Sequence, residues 1–460
     1  MNKQMNLAYN VSDKPKFPQI LVFALQQLLA IMAATIAVPG IVNGIVGTTM
    51  SASAALFGAG VGTIVYLLFT KFKSPVFLGS SFAFIGSMCA AFAGGISMSA
   101  GYLGLMIGAV LAGLVYVIIA IVVKYCGTAW ISKLMPAVVI GPTVAIIGLS
   151  LSVNAIKDLV GANAGFTLWD EATSSWVMKG ESLACLACGL VTLAVTIICS
   201  VYGKKTLKMI PFVIGILAGY IVATLFTVCG VKIIDFSMFK NIKWYPDFAF
   251  IQAFAKDSIS FGDVGFWSYL GIIAIAYIPV AFVVFAEHIA DHKNLSSIIG
   301  SDLLKEPGLH RTLLGDGIGS MAGAFFGGCP NTTYGESIGC VAISGNASVI
   351  TILCTSIMAI VISFIGPFST FLATIPGCVM GGVCIALYGF IAVSGLKMIQ
   401  DVDLNDNKNL FVVSVILIAG VGGLCMSFGK IKLTAVACAL ILGILVNLLC
   451  SKAKKSDDNK

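Results

Sequence analysis

Long apolar runs separated by short polar stretches fill nearly the whole chain. They fall at residues 17–41, 51–70, 75–93, 101–123, 136–156, 182–202, 209–229, 266–290, 309–328, 331–343, 348–366, 375–399, 410–428 and 433–450. Most approach the roughly 20 residues that a helix needs to cross a bilayer. The pattern predicts an all-α polytopic membrane protein with fourteen spans, organised as one transporter domain over residues 1–460. The longer polar connections, 157–181, 231–265 and 291–308, are too short for a soluble domain. Residues 1–16 are polar, and the first apolar block is too long for the core of a signal peptide and lacks a small-residue cleavage site. It reads as the first span.

Composition fits lipid as the solvent. Hydrophobic residues make up 58% of the 460 and charged residues 10%, against roughly 25% charged in a soluble domain, and mean hydropathy is +1.02. The net charge of +7 does not point to nucleic acid, because the bases sit in short inter-span loops and form no basic domain. Topology accounts for them. Alternation from a cytoplasmic N-terminus places nineteen of the 27 basic residues inside and eight outside. Lys71, Lys73, Lys124, Lys204 and Lys397 are in the inner set, and Lys157, Lys179 and Lys243 in the outer set. This distribution predicts cytoplasmic N- and C-termini, an even number of spans and a cell-membrane location. Two halves of seven spans, 17–229 and 266–450, would insert with opposite topology, as an inverted repeat. The 14 cysteines lie mostly inside apolar blocks. Cys185-Leu-Ala-Cys188 has no second pair and no nearby histidine, so it reads as helix-facing packing with no metal or cofactor. The 50 glycines suit close helix approach in a membrane.

A trace of the repeat is visible. Ser80-Ser81-Phe82-Ala83-Phe84-Ile85-Gly86 lies in the third block, and Thr332-Thr333-Tyr334-Gly335-Glu336-Ser337-Ile338-Gly339 in the tenth. Each begins hydroxyl, hydroxyl, aromatic, small. Interrupted spans at corresponding positions of two halves point to a transporter's binding site, and unwound backbone at membrane depth must line a cavity or be buried in protein.

Of the 20 acidic residues, all but Glu287, Asp291, Asp316 and Glu336 fall in loops or tails. A charge in the bilayer costs several kcal/mol, so such residues normally face a cavity and mark a pathway. Two carboxyls on one cavity can hold the N–H and C=O edge of a planar heterocycle and exchange a proton. Backbone amides of the broken spans would add donors, and Phe82 and Tyr334 apolar walls. The blander alternatives are that Glu287 and Glu336 bond neighbouring backbone groups and that Asp316, in Gly315-Asp316-Gly317, caps or kinks a span. His288 follows Glu287 directly and so faces elsewhere on a helix. His310 and Arg311 anchor the start of a span. His292 either relays protons from the cytoplasm or stands solvated in the loop after its span.

At these residues the chain resembles the uracil permease branch of the nucleobase/ascorbate transporter family. The segments that carry the likeness are Glu287-His288-Ile289, the run from Asp302 to Arg311, Pro330-Asn331-Thr332-Thr333-Tyr334-Gly335-Glu336, Leu78-Gly79-Ser80-Ser81-Phe82-Ala83-Phe84, and Gln26-Gln27. The resemblance implies fourteen spans in two inverted repeats, with short strands in spans three and ten. It implies a core of spans one to four and eight to eleven, and a gate of spans five to seven and twelve to fourteen. Glu287 and Glu336 would hold a nucleobase, uracil first, with the backbones of Phe82, Tyr334 and Gly335 completing the site and Gln26 nearby. Glu287, Asp291, His292 and Glu336 would serve proton coupling in a homodimeric symporter. Two positions depart from the branch: Asp291 stands where a histidine is common, and Gln27 follows Gln26 where Gln-His is frequent. Xanthine, other oxopurines and modified pyrimidines therefore stay open as cargo.

An anion carrier of the same architecture would place a fixed base at the broken spans. No lysine lies there, and Arg311, the one arginine, sits at a boundary. His-Glu-x-x-His and the Gly-x-Gly-Asp pattern of intramembrane proteases are both absent, so no enzyme is expected. A channel is the remaining alternative, but two carboxylates in an inverted repeat read as alternating access.

Overall fold

The computed structural model describes residues 7–127, 130, 135–171, 173–204, 207, 210–240, 242–254, 259–400, 402–428 and 431–451. Several of the lysines used for orientation (Lys3, Lys133, Lys205, Lys208, Lys256, Lys430, Lys452, Lys454, Lys455 and Lys460) lie outside the described residues.

Apolar runs become helices wherever they continue unbroken. These are α1 (Phe17–Val46) and α2 (Ala52–Phe69), then, after strand β1 (Leu78–Ser80), α3 (Ile85–Ala91) and α4 (Met98–Cys126). Next come α5 (Ala137–Leu159), strands β2 (Leu168–Asp170) and β3 (Ser175–Val177), α6 (Gly180–Tyr202), α7 (Pro211–Val228) and the short α8 (Ala249–Phe254). The second half holds α9 (Phe266–Ile299), α10 (Leu309–Gly327), strand β4 (Asn331–Thr333), α11 (Gly335–Ser344), α12 (Val349–Ser363) and α13 (Gly366–Thr374). It closes with α14 (Gly377–Met398), α15 (Asn407–Val421), strands β5 (Met426–Phe428) and β6 (Ile431–Leu433), and α16 (Ala435–Ser451).

Among the described residues, eight helices are long and apolar enough to cross a membrane: α1, α2, α4, α5, α6, α7, α9 and α14. Helices α12 and α13 pass the same test together but are bent by 84° at their junction. The other apolar blocks hold shorter or more polar pieces. In the third and tenth, strands take up part of the length and leave helices of 7 and 10 residues.

Three local features differ from the sequence-based expectation. Two hairpins, β2–β3 and β5–β6, were not foreseen. In the first, Trp169 and Trp176 face each other across the ladder, edge to face at 5.0 Å, a cross-strand aromatic pair that stabilises so short a ribbon. In the second, the glycines after α15, with Gly423 at φ +69°, end the helix before its apolar run is spent. The third difference matters most. Helix α9 does not stop at residue 290 but continues to Ile299, so His292 is a fully buried helical residue and not a solvated loop residue. Its ring and that of His288 find partners on neighbouring helices, which is why the polar stretch stays helical.

The helices pack in two sets. Contacts run between α2, α10, α4, α9, α12 and α1 on one side, and between α5, α14, α6, α7, α15 and α16 on the other. Small residues allow the closest approaches. A Cβ on Gly62 of α2 would lie 2.6 Å from the carbonyl oxygen of Gly319 on α10. In the other set, a Cβ on Gly141 of α5 would lie 2.8 Å from the Gly395 oxygen of α14. This is the glycine-mediated packing that membrane helices use in place of a hydrophobic drive.

Strands β1 and β4 meet antiparallel inside the first set, with Leu78 opposite Thr333, Gly79 opposite Thr332 and Ser80 opposite Asn331. The pairing extends by one bond, from the Ser81 amide to the Pro330 oxygen at 2.9 Å. The Asn331 side chain ties the crossing to α2 by donating to the Gly58 oxygen at 3.1 Å. Near the N-terminus, residues 8–11 run along the connection between α11 and α12, through Ala8 N–H to Gly345 O at 2.8 Å and Ala347 N–H to Tyr9 O at 2.9 Å. Outside the helices, the Lys73 ammonium pairs with Glu306 and holds its carboxyl below the usual range.

Candidate functional site

The strand crossing sets the floor of a site. Helix α11 leaves β4 with Tyr334 at its N-cap and no side-chain cap, so its first amides depend on some other acceptor. Glu336 lies in that first turn. From the side, α9 presents Glu287, Ala290, Asp291 and Asn294 to the same cavity, a spacing of three to four residues that keeps them on one helix face.

The cavity has a volume of about 380 Å³, within the range of small-molecule sites. Phe82, Thr332, Thr333, Tyr334, Gly335 and Glu336 contribute from the strand crossing. The facing wall is largely apolar and comes from the other helix set: Val144 and Ile147 of α5, Phe212 of α7, and Phe390 and Ile391 of α14, with Ser200 of α6 and Ser394 of α14. The cavity thus lies between the two sets, with its carboxyls on one side.

The side chains are held in different ways. Asp291 accepts a hydrogen bond from Thr333 Oγ1 at 2.7 Å, which joins α9 to β4. Tyr334 donates from its hydroxyl to the Ser80 oxygen at 2.7 Å and lays its ring against Gly79. Its ring therefore braces the crossing as well as standing where an apolar or stacking wall was expected. The Phe82 ring meets Tyr388 of α14 edge to face at 5.7 Å.

Of the residues expected at the site, Glu287, Asp291, Glu336, Phe82, Tyr334 and Gly335 are brought together around this cavity. Gln26 does not line it: it sits one turn before Ala30, which does, and its Oε1 has no hydrogen-bond partner among the described residues. His292 lies on the far side of α9, where Nε2 meets the Tyr66 hydroxyl at 2.7 Å. His288 faces away from Glu287 as expected, and bonds Asp316 on α10. Asp316 is thus a paired residue behind the site. The apolar wall was not foreseen, because its residues are remote in sequence and look like any other span. Asn294 was missed because the span was taken to end before it.

The glutamine pair also has an unforeseen role. Gln27 Nε2 donates to Ser337 Oγ at 2.5 Å, and the Phe77 amide donates to the same oxygen at 3.1 Å. One buried hydroxyl therefore ties α1 and the segment before β1 to the helix that carries Glu336. Ser337→Ala leaves the Phe77 amide without its acceptor, at about 1–3 kcal/mol for a group left unsatisfied, and leaves Gln27 Nε2 only the Ser337 carbonyl oxygen at 3.3 Å. A lower melting temperature of the purified protein in detergent is expected, and an unchanged one would mean that the donors find other acceptors.

A second cavity, of about 830 Å³, lies at the opposite ends of the same helices. Along α1 the first cavity takes Ala30 and the second Ile36 to Gly44; along α14 the first takes Phe390 to Met398 and the second Gly377 to Met380.

Residues 18–427 match the permease family Xan_ur_permease. The chain is 39% identical over 457 residues to the uracil permease of Bacillus subtilis (strain 168), covering 98% of this chain and 97% of that one. It is 33% identical over 444 residues to the uracil permease of Escherichia coli (strain K12), covering 96% and 94%. Among solved structures, it is similar to the transmembrane domain of a cyanobacterium bicarbonate transporter, BicA, with a TM-score of 0.62, 16% identity, and coverage of 96% of this chain and 99% of that one. At that identity the likeness is one of fold alone. The sequence relatives are permeases, which are transporters and not enzymes, and their match runs through both strands and both halves of the site. With its apolar helices and its carboxyl-lined cavity, the chain belongs to the Xan_ur_permease family and is a multi-pass membrane transporter.

Proposed function

We propose that this protein takes up a nucleobase, uracil in the first instance, together with protons and by alternating access. The observation that carries this reading is that Glu287 and Glu336, from two helices far apart in sequence, face one small cavity beside a crossing of two short strands. A planar base with an N–H and C=O edge suits such a site. Two carboxyls accept from ring N–H groups, and when protonated donate to ring carbonyls. Phe82, Tyr334 and Gly335 line the same space, where their backbones would complete the site, and Gln26 lies a turn beyond it. The uracil permeases among the relatives support the choice of base.

Proton exchange falls to Glu287, Asp291 and Glu336, which face the cavity. His292 would pass a proton only by way of Tyr66 and Ser74, whose hydroxyls are 2.7 Å apart. In this reading the chain has fourteen spans in two inverted repeats, 17–229 and 266–450. The helix set bearing the carboxyls is the core (spans one to four and eight to eleven), and the apolar set is the gate (spans five to seven and twelve to fourteen). Both termini are cytoplasmic, the membrane is that of the cell surface, and the working unit is a homodimer. Lys71, Lys73, Lys124, Lys204 and Lys397 mark the inner end, toward which the first cavity lies. The second cavity is then an outer vestibule. One proton carried with a neutral base moves one charge, worth about 2.3 kcal/mol per 100 mV.

The test is uptake of labelled uracil by cells lacking their own permease, with xanthine, guanine and thymine as competitors, with and without a protonophore. Protonophore-sensitive uracil uptake is expected. Purine uptake without uracil uptake would move the cargo to an oxopurine, in keeping with Asp291 in the cavity. No uptake or binding of any base by folded protein would sink the reading.

A further inference from the structure

Behind the cavity, on the opposite face of α9, lies a buried pair that the transport reading does not use. His288 and Asp316 are 0% and 1% exposed, with Nδ1 2.7 Å from Oδ2. The other ring nitrogen, Nε2, lies 3.0 Å from Thr312 Oγ1, and Thr312 donates to the Leu309 oxygen at 3.0 Å.

One arrangement of protons satisfies all three contacts together. A hydroxyl has one proton to give. With that proton on Leu309, Thr312 can only accept, so Nε2 carries a hydrogen. The short contact between Nδ1 and Oδ2 then needs one proton between two acceptors. Whether that proton sits on nitrogen or on oxygen, the pair is neutral as a whole. The ring of His288 also stacks on that of His292, 4.0 Å between centroids, and His292 Nδ1 bonds the His288 carbonyl at 2.8 Å. The titratable groups around the pair are Glu287, Asp291 and His292 on α9, Tyr66 on α2 and Tyr116 on α4. With His292 neutral, none of them carries a positive charge, so a net charge on the pair would be left unbalanced in an apolar surround.

We infer that His288 and Asp316 are positioning residues for Glu287: they share one trapped proton and fix the roll of α9 against α10, so that Glu287 and Asp291 point into the cavity. Asp291–Thr333 and His292–Tyr66 also resist rotation about the axis of α9, as does Tyr269, nearer its start, on the Ala91 and Ala100 oxygens, but the pair is the contact directly beside Glu287 in the chain. The inference rests on the reading that Glu287 holds the base.

Three variants test it against the parent. Asp316→Asn keeps a hydrogen bond to Nδ1 through its amide and needs no shared proton. Its KM for uptake and its pH profile should stay within about twofold of the parent. Asp316→Leu strands the imidazole, whereas His288→Phe with Asp316→Leu removes both partners and leaves nothing unpaired. The double variant should therefore melt higher than Asp316→Leu alone, while its KM rises by about tenfold or more as the carboxyl loses its aim. Its uptake at saturating base should stay protonophore-sensitive.

Two results would overturn the inference. In one, Asp316→Asn keeps its KM but loses protonophore-sensitive accumulation, which would make the shared proton cargo. In the other, the double variant keeps the parental KM or melts no higher than Asp316→Leu alone. A parent that takes up no base would instead count against the transport reading, and the melting comparison would still judge the pair.

Discussion

Replacing either glutamate by glutamine is expected to abolish concentrative uptake while leaving a folded protein. Glu287→Gln and Glu336→Gln conserve shape, so the cavity of about 380 Å³ should survive. What changes is the chemistry. A carboxylate only accepts hydrogen bonds, whereas an amide presents a donor group to an N–H that needs an acceptor, and it cannot take up a proton. Hydrogen bonds to charged groups contribute about 1.5–3 kcal/mol, so binding of the base should weaken by roughly tenfold to a hundredfold in each variant. Loss of the proton site should in addition remove protonophore-sensitive accumulation. Binding of labelled uracil to purified protein separates the two losses. Parental binding with no accumulation would make that residue a proton carrier alone, and parental uptake in Glu336→Gln would remove it from the site.

The largest effect on folding is expected at Gly62. Any side chain there meets the Gly319 carbonyl of α10, 2.6 Å from the added Cβ, and the amide of Asn331. The first obstacle is backbone and cannot swing aside. Overpacking a core commonly costs about 1–3 kcal/mol, and Gly62→Val adds two further methyl groups to a seam already in contact. Helices α2 and α10 would have to part, and Asn331, which anchors the strand crossing on Gly58, would lose its seat. Little or no monodisperse protein should be recovered from membranes. Gly40→Ala is the control, since a Cβ there meets nothing within 4 Å, and its yield should match the parent's. A normal yield of Gly62→Val would mean that the two helices are not held at this distance.

Both predictions bear on how much the sequence discloses. The carboxyls were legible because an acidic residue inside an apolar block is rare enough to single out. The interrupted spans were legible because Ser, Thr and Gly cluster where a lipid-facing helix would have leucine. What hydropathy could not convey is where a polar residue's partner lies. Asp291, His292 and Ser296 read as the start of a loop, yet they stay helical because Thr333, Tyr66 and the Leu303 amide meet them from other elements. Gln27 and Ser337 are 310 positions apart, and nothing local marks them as partners. The apolar wall is invisible for the opposite reason: Val144, Ile147 and Phe390 have the same chemistry as side chains that face lipid. Nor does the ring of Tyr334 announce that it will brace Gly79.

The pairing of β1 with β4 also constrains the order in which the protein can be made. Some 250 residues of synthesis separate the two strands, or roughly 10 to 50 s at about 5–20 residues per second. For that interval the backbone groups of residues 78–80 have no strand to bond, in surroundings where an unpaired amide is costly. The residues 8–11 that lie beside Gly345 and Ala347 wait longer still, although they leave the ribosome first. The nascent protein therefore threads most of its helices before its centre can close, and a chain stopped short of residue 331 has an unfinished sheet at its heart.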